Sequence, residues 1–117
     1  MVVNTTNNRL FKSEIIRKQK EFQAVFASSK IMSSPSFTLR YSVSPRRKIG
    51  FIVSHSVAPK AVMRNRIRRH LREIYRTNKI RFVENYAYLF QARKSATTKT
   101  FQELKDEVLN LSTKVSN

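Results

Sequence analysis

The chain has 117 residues, of which 24 are lysine or arginine, seven are acidic and none is cysteine, for a net charge of +17. That length suits one domain with one modest core. The absence of cysteine excludes disulfides and thiolate metal sites, and it fits the cytoplasmic location that we predict. Charge of one sign in such excess opposes folding by self-repulsion, so we expect a polyanionic partner, and nucleic acid is the leading candidate.

The chain opens with a polar arm and a short helix. Residues 1–13 show no periodic apolar pattern, so we expect a flexible arm there. Phe22, Val25 and Phe26 then fall at helical spacing, which predicts a helix over about 17–27. The polar start also lacks the apolar run of a secretory signal, in keeping with the predicted location.

The middle of the chain predicts two strands. Serines and a proline make 28–36 typical of a loop, and the alternation of apolar and polar residues over 37–43 is typical of a half-buried strand. We expect the charged turn at 44–48 to face water. The apolar run 49–54 predicts a central strand buried on both faces, in which Gly50 indicates a bulge or a close approach by another group.

The last part of the chain predicts a helix, a strand and a helix. An arginine-rich helix covers 61–76, and 86–92 has the apolar content of a third strand. The final helix begins at Thr100 with a capping-box pattern, and we expect the tail 113–117 to fray. The order helix, strand, strand, helix, strand, helix predicts a single α+β domain, a sandwich of helices on one mixed sheet.

The arginine-rich helix, AVMRNRIRRHLREIYR, has two distinct faces. At about 100° per residue its apolar side chains share one quadrant: Met63, Ile67, Leu71 and Ile74. The opposite side is polar and basic: Asn65, Arg68, Arg69, Arg72 and Arg76. Glu73 is spaced to pair with Arg69. Because guanidinium groups bind phosphate oxygens bidentately, this side is predicted to bind a polyanion; the alternative, a solvated helix face, normally mixes glutamate with lysine.

Folded RNA suits this chain better than duplex DNA. No zinc-finger spacing, helix-turn-helix pair or basic zipper is present. Unstacked RNA bases stack on aromatic side chains. For Phe22 and Phe26 two roles are equally open, stacking with RNA bases and packing in the core. Core packing is favoured for Phe37 and Tyr41, which share the apolar face of the predicted strand. An anionic membrane surface is the weaker alternative, since basic membrane helices carry exposed bulky apolar residues.

Catalysis by side chains is not expected. His55 and His70 have no local carboxylate spaced to pair with either, and two histidines do not make a metal site. His70 lies near the edge of the apolar stripe, which favours a packing role. The seven acids are scattered, without a paired motif for catalytic magnesium.

One long motif resembles a known family. Residues 48–76, KIGFIVSHSVAPKAVMRNRIRRHLREIYR, resemble the signature of the bacterial ribonuclease P protein subunit, whose hallmark is an Arg-Asn-Arg helix after an Ile/Val-Gly strand. Arg64-Asn65-Arg66 matches that hallmark, and residues 17–26 and 88–96 show weaker similarity to the family's first helix and third strand. The resemblance implies an α-β-β-α-β-α sandwich with a left-handed β-α-β crossover, similar to domain IV of the translocation elongation factor.

The resemblance also implies a function. The family's protein is an accessory subunit, a monomer within the ribonucleoprotein, which holds no cofactor firmly and has no nuclease site. Its partner, the catalytic ribonuclease P RNA, uses Mg²⁺ to remove the 5′ leader of precursor tRNA. The side chains expected to meet the catalytic RNA are Arg64, Asn65, Arg66, Arg68, Arg69, Arg72 and Arg76. Those expected in a leader-binding groove between the first helix and the sheet are Lys18, Phe22, Phe26, Arg40, Tyr41 and His55.

Some positions depart from the family's pattern. His55-Ser56 stands where members commonly carry two lysines, and Arg40 stands where an aromatic or apolar residue is common. Arg64 lies close to the apolar stripe and could brace the helix instead of touching RNA. Two other functions stay open: a ribosomal or general RNA-packing protein of similar fold, and an autonomous nuclease.

Overall fold

Residues 12–115 form three α-helices and four β-strands. A computed structural model describes residues 12–115, so residues 1–11 of the predicted arm and residues 116 and 117 of the predicted tail lie outside the described residues. Within that range the α-helices are α1 (Gln19–Ser28), α2 (Ala61–Thr77) and α3 (Phe101–Thr113), none long and apolar enough to cross a membrane. The strands are β1 (Lys30–Ser33), β2 (Phe37–Val43), β3 (Lys48–Ile52) and β4 (Tyr86–Ala92). Short 3-10 turns cover Lys12–Glu14, Lys79–Arg81 and Lys94–Thr98.

The predicted order of elements is confirmed, with one strand added. β1 lies inside the stretch 28–36 that we predicted as a loop, and it pairs antiparallel with β2, Ile31 lying opposite Arg40. The loop prediction is wrong for that part. A four-residue strand flanked by serines has too little alternation to be recognised, and its pairing with β2 forms it.

β3 lies at an edge of the sheet, which corrects the prediction of a central strand. The four strands lie in the order β1-β2-β4-β3, and β3 is parallel to β4. Part of the outer edge of β3 is covered, because the Ile16 amide donates to the Ile49 carbonyl at 2.8 Å. An apolar run reports burial on both faces and carries no information about position within a sheet. The β3-α2-β4 unit is the one for which the resemblance implies a left-handed crossover.

The sheet separates two apolar clusters. α2 and α3 cover the main core, whose largest buried members are Tyr75, Tyr88, Phe37, Phe82 and Phe90. α1 covers part of the other face, over a smaller cluster of Ile16, Val25, Ala87 and Leu89. Because successive strand residues point to opposite faces, β2 and β4 supply side chains to both sides of the sheet: Phe37, Leu39 and Phe90 lie in the main core, and Leu89 lies in the smaller cluster.

Gly50 allows a close approach, as its position in the apolar run predicted. A Cβ there would lie 3.1 Å from the Ile16 Cβ and 3.0 Å from Leu89 Cδ1. No described glycine has a positive φ, so Gly50 is needed for space and not for backbone conformation. The segment before α1 therefore packs beside β3 where a side chain is missing.

Thr100 caps α3 as expected: its hydroxyl accepts from the Glu103 amide at 3.2 Å.

The two ends of the described chain are more structured than predicted. After α3, Val115 is 1% exposed and belongs to the main core, so the tail predicted to fray contributes a core residue. At the other end, Lys12–Glu14 form a 3-10 turn within the predicted flexible arm.

Ile67→Ala should lower the free energy of unfolding by about 2–5 kcal/mol, because Ile67 is buried between α2 and the sheet and its truncation leaves a cavity. Denaturant unfolding of the purified variant measures the change. Val62→Ala on the same helix is the matched control: Val62 is 80% exposed, and its truncation should change stability by no more than about 0.5 kcal/mol. Equal losses would contradict the assignment of the helix faces.

Candidate nucleic-acid interface

The outer side of α2 presents three exposed arginines. Arg66, Arg69 and Arg72 are exposed, and among residues 12–115 no carboxylate forms an ion pair with them. The helix is anchored from its other side by the buried residues Ile67, Leu71, Ile74 and Tyr75. We call Arg66, Arg69 and Arg72 the arginine face. It is a row of guanidinium groups on one side of an anchored helix, and no described acid neutralises its charge.

Arg64 and Arg68 turn back toward their own chain. Arg64 donates to carbonyls of the loop that enters α2, at 2.7 Å for Pro59, which agrees with the bracing role considered for it. Arg68 donates to the Asn65 side chain at 3.2 Å, and its other terminal nitrogen lies 3.5 Å from the Val53 carbonyl. Arg64 therefore braces the loop that enters α2, and Arg68 helps to hold α2 on the end of β3.

Glu73 neutralises a different arginine from the one predicted. Its carboxylate pairs with Arg76, three residues further on, at 2.5 Å, and not with Arg69. The hydrogen bond from Arg76 holds the pKa of Glu73 below its ordinary value. Arg76 is therefore partly neutralised, whereas Arg69 stays part of the arginine face.

Other acids are engaged away from the arginine face, where they hold the fold together: Glu14, Glu21, Glu103 and Glu107. Glu107 of α3 accepts from the Ser34 hydroxyl at 2.6 Å and from the Ser36 amide at 2.8 Å, which ties the β1–β2 turn to α3. Burial raises the pKa of Glu107, but the hydrogen bonds from Ser34 and Ser36 outweigh it and leave the pKa below its ordinary value.

A buried ionic network below the end of α2 corrects the prediction for the turn at 44–48. Arg47 does not face water, because its Nε donates to the Tyr75 hydroxyl at 3.0 Å. Glu14 accepts from that hydroxyl at 2.5 Å and from the Lys79 ammonium at 2.8 Å. Burial, and then the bond to Glu14, raise the pKa of Tyr75 well above its ordinary value. The network joins the turn before α1 to the end of α2.

His70 has a packing role, as predicted. Its ring meets the Phe101 ring edge to face, with centroids 5.2 Å apart. Burial, followed by the charges of Arg66 and Arg69, lowers the pKa of His70, so the ring is neutral at pH 7. A neutral ring below the arginine face adds no further repulsion there.

The second candidate surface lies between α1 and the sheet. We call it the α1 groove and define it by Phe22, Phe26, Ile31 and Arg40. Phe22 is half-buried against the smaller cluster, whereas Phe26 is 42% exposed. The guanidinium carbon of Arg40 lies 4.8 Å from the Phe26 ring centroid, a cation–π contact. Ile31 lies opposite Arg40 on β1 and is 54% exposed, so it extends the apolar floor.

One of the predicted groove residues lies elsewhere, and a second contacts the start of α2. Tyr41 is on the opposite face of the sheet from Arg40, against the main core, with its ring centroid 6.1 Å from that of Tyr86. Its assignment to the groove is wrong, because neighbouring residues in a strand point to opposite faces. His55 lies in the loop before α2, where its Nδ1 is 3.4 Å from a terminal nitrogen of Arg64. The structure thus brings His55 to the start of α2.

Lys18 stands exposed at the N-terminal end of α1, beside an ion pair. The backbone amides of Arg17 and Lys18 each donate to Glu21 at 3.2 Å, and the Glu21 carboxylate also pairs with the Lys48 ammonium. The hydrogen bond from Lys48 is the largest cause that lowers the pKa of Glu21 to about 2. Glu21 therefore fastens the start of α1 to β3.

Stability should fall in acid through Glu21. Its folded-state pKa of about 2 is below the ordinary 4.5, so the pair contributes fully above pH 4.5 and is lost as the pH falls toward 2. Glu21→Gln should lower the free energy of unfolding by about 1 kcal/mol at pH 7, since solvent screens a side chain that is 28% exposed, and by almost nothing at pH 2. Denaturant titrations across this range measure it, with Asp106→Asn as the exposed control. A loss that persists at pH 2 would contradict the assignment.

Neither the place of Ile31 in the α1 groove nor the buried network can be recognised from the sequence, and the reason is the same for both. Ile31 joins the α1 groove only through the pairing of β1 with β2. Glu14 meets Tyr75 and Lys79, which are 61 and 65 residues away along the chain. Hydropathy and spacing are local signals, and neither contact leaves a local trace.

Comparisons with known proteins agree on one family. A family model described as Ribonuclease P matches residues 10–116. The chain belongs to the ribonuclease P protein family. The ribonuclease P protein component of Pelotomaculum thermopropionicum is 32% identical over 100 residues, covering 84% of this chain and 88% of the relative. That of Clostridium novyi is 33% identical over 104 residues, covering 86% and 91%.

Solved structures of ribonuclease P proteins share the fold. The protein from Thermotoga maritima superimposes with a TM-score of 0.81 at 23% identity, covering 89% of this chain and 99% of that one. The protein from Staphylococcus aureus gives 0.79 at 21% identity, covering 91% and 97%. Membership in the ribonuclease P protein family places the chain in tRNA processing, as a protein component of an endoribonuclease complex that contains RNA.

Proposed function

We propose that this ribonuclease P protein binds the catalytic RNA through the arginine face and the 5′ leader of precursor tRNA in the α1 groove. It acts as a monomer within the ribonucleoprotein and assists the RNA, which removes the leader and leaves the mature 5′ end. The protein supplies positive charge and a binding surface, and it breaks no bond itself.

The unneutralised arginine face is the observation that carries the proposal. Arg66, Arg69 and Arg72 span roughly 9 Å along α2, so they can meet more than one phosphate. They lie on the outside of α2, because the other side of the helix is buried. Their charge stays unneutralised, because acids such as Glu14 and Glu21 are engaged with other residues. Such a surface lowers the repulsion between two RNAs that must approach each other.

The α1 groove supports the second part of the proposal. Single-stranded RNA is commonly bound by exposed aromatic rings together with cationic side chains. The groove offers the half-exposed ring of Phe26, the guanidinium group of Arg40 and the apolar side chain of Ile31. Lys18 lies at the N-terminal end of α1, and in this proposal it forms part of the rim of the α1 groove.

We assign the Mg²⁺ requirement to the RNA-containing holoenzyme. Among residues 12–115 no group of three or more histidine, aspartate or glutamate side chains could hold a metal ion. When bound to the RNA, Mg²⁺ supplies the chemistry of cleavage, and the side chains described above bind and position the two RNAs.

Reconstitution tests the proposal. Purified protein is added to the ribonuclease P RNA of the same organism at low Mg²⁺, and cleavage and binding of precursor tRNA are measured with and without a leader. We expect restored cleavage and tighter binding of the leader-bearing substrate. RNA binding without restored cleavage would indicate a general RNA-packing protein, and cleavage without added RNA would indicate an autonomous nuclease. Either result would overturn the proposal.

A further inference from the structure

Arg40 is a half-buried cation without a hydrogen-bond acceptor. Its Nε atom is buried, and no residue in 12–115 accepts a hydrogen bond from its guanidinium group or forms an ion pair with it. The other half-buried arginines of that range all donate to their own chain: Arg47, Arg64, Arg68 and Arg76. The donors that an acceptor from outside the chain can reach are the terminal nitrogens of Arg40, and no described residue engages them.

Phe26 holds the Arg40 guanidinium group in the α1 groove. The ring covers one side of the group at 4.8 Å, and the cross-strand neighbours Ile31 and Leu89 are apolar. The terminal nitrogens of Arg40, unlike its Nε, are not buried. A planar group fixed against a ring presents these two nitrogens as a pair with a set spacing and direction.

We propose that Arg40 recognises a guanine base in the bound leader, an inference that rests on the proposed leader binding in the α1 groove. Guanine carries the acceptors O6 and N7 side by side on one edge, and the two terminal nitrogens of an arginine match them as a bidentate pair. Adenine has an amino donor where guanine has O6, and pyrimidines lack N7.

The apolar floor beside Arg40 favours a base over a phosphate. Phe26 and Ile31 are 42% and 54% exposed, and they place an aromatic ring against the guanidinium group and an aliphatic side chain opposite Arg40 on β1. A base stacks on such a surface while its edge meets the cation. A phosphate gains nothing from apolar neighbours and loses part of its hydration against them.

Binding of precursor tRNAs to the reconstituted holoenzyme tests the proposal, with each leader nucleotide changed in turn. Guanosine at one leader position should bind roughly 5–150-fold more tightly than the other nucleotides. Inosine at that position, which keeps O6 and N7, should bind like guanosine. 7-Deazaguanosine, which lacks the N7 acceptor, should lose most of the advantage.

Variants separate base recognition by the paired donors of Arg40 from the effect of its positive charge. Arg40→Lys keeps the charge but not the paired donors, and it should abolish the guanosine preference. Phe26→Leu should weaken the preference, because the guanidinium group loses the ring that fixes it. Arg46→Lys changes an exposed arginine of the β2–β3 turn and should keep the preference of the wild type. Thermal unfolding of each variant establishes that it folds.

Three results would overturn the assignment of Arg40. Equal binding of all leader sequences by the wild type would exclude base recognition. A preference that survives Arg40→Lys would place the recognition in another group. An equal loss for every leader sequence in Arg40→Lys would show contact with a phosphate. By contrast, equal binding of substrates with and without a leader would refute the proposed leader binding itself.

Discussion

Replacing Arg66, Arg69 and Arg72 together with alanine should flatten the log–log salt dependence of RNA binding by about two to three units of slope. Each lost phosphate contact removes roughly 0.7–0.9 units, and among residues 12–115 no acid pairs with these guanidinium groups. Between 50 and 200 mM salt, the difference in affinity between wild type and variant should shrink roughly 20–40-fold. Fluorescence anisotropy with the ribonuclease P RNA over this range measures it.

A charge-matched variant separates the arginine face from net charge. Alanine at Arg46, Arg81 and Lys114 removes the same charge from exposed positions outside α2. This variant should keep nearly the slope of the wild type, and both variants should unfold at denaturant concentrations close to that of the wild type. If the control flattens the slope as much, binding depends on overall charge and the arginine face has no special role.

Glu14→Gln should lower the free energy of unfolding by about 3–5 kcal/mol, an effect typical of breaking a buried ionic contact. Glutamine keeps the shape of the side chain but removes the negative charge that lies 2.8 Å from the Lys79 ammonium and 3.8 Å from Arg47. Lys79 is 4% exposed, so water cannot replace the carboxylate. Denaturant unfolding measures the loss.

Two further variants calibrate the result for Glu14. Glu84→Gln changes an exposed acid and should alter stability by no more than about 0.5 kcal/mol. Tyr75→Phe removes one hydroxyl but leaves both cations with Glu14, so we expect a loss of about 1 kcal/mol. A Glu14 variant no less stable than the Glu84 variant would mean that the network does not stabilise the fold.

Local periodicity is sufficient to predict the helices and most strands. The repeat of about 100° per residue places Ile67 on the opposite side of α2 from Arg69 and Arg72, because helix geometry depends on neighbouring residues alone. The predicted strand 86–92 has the same bounds as β4, and Thr100 caps α3 as its pattern indicates. The fold class and the family follow from the order of these elements and from the Arg-Asn-Arg motif.

Local periodicity does not predict contacts between segments that are distant along the chain. The position of β3 at the edge of the sheet and the pairing of β1 depend on which strands meet, and an apolar run is the same in either arrangement. The inward course of Arg47 depends on Glu14 and Tyr75, which lie far from it along the chain. Charge in a sequence therefore indicates what kind of partner to expect, whereas only the folded chain separates the arginines that brace it from those that are exposed on its surface.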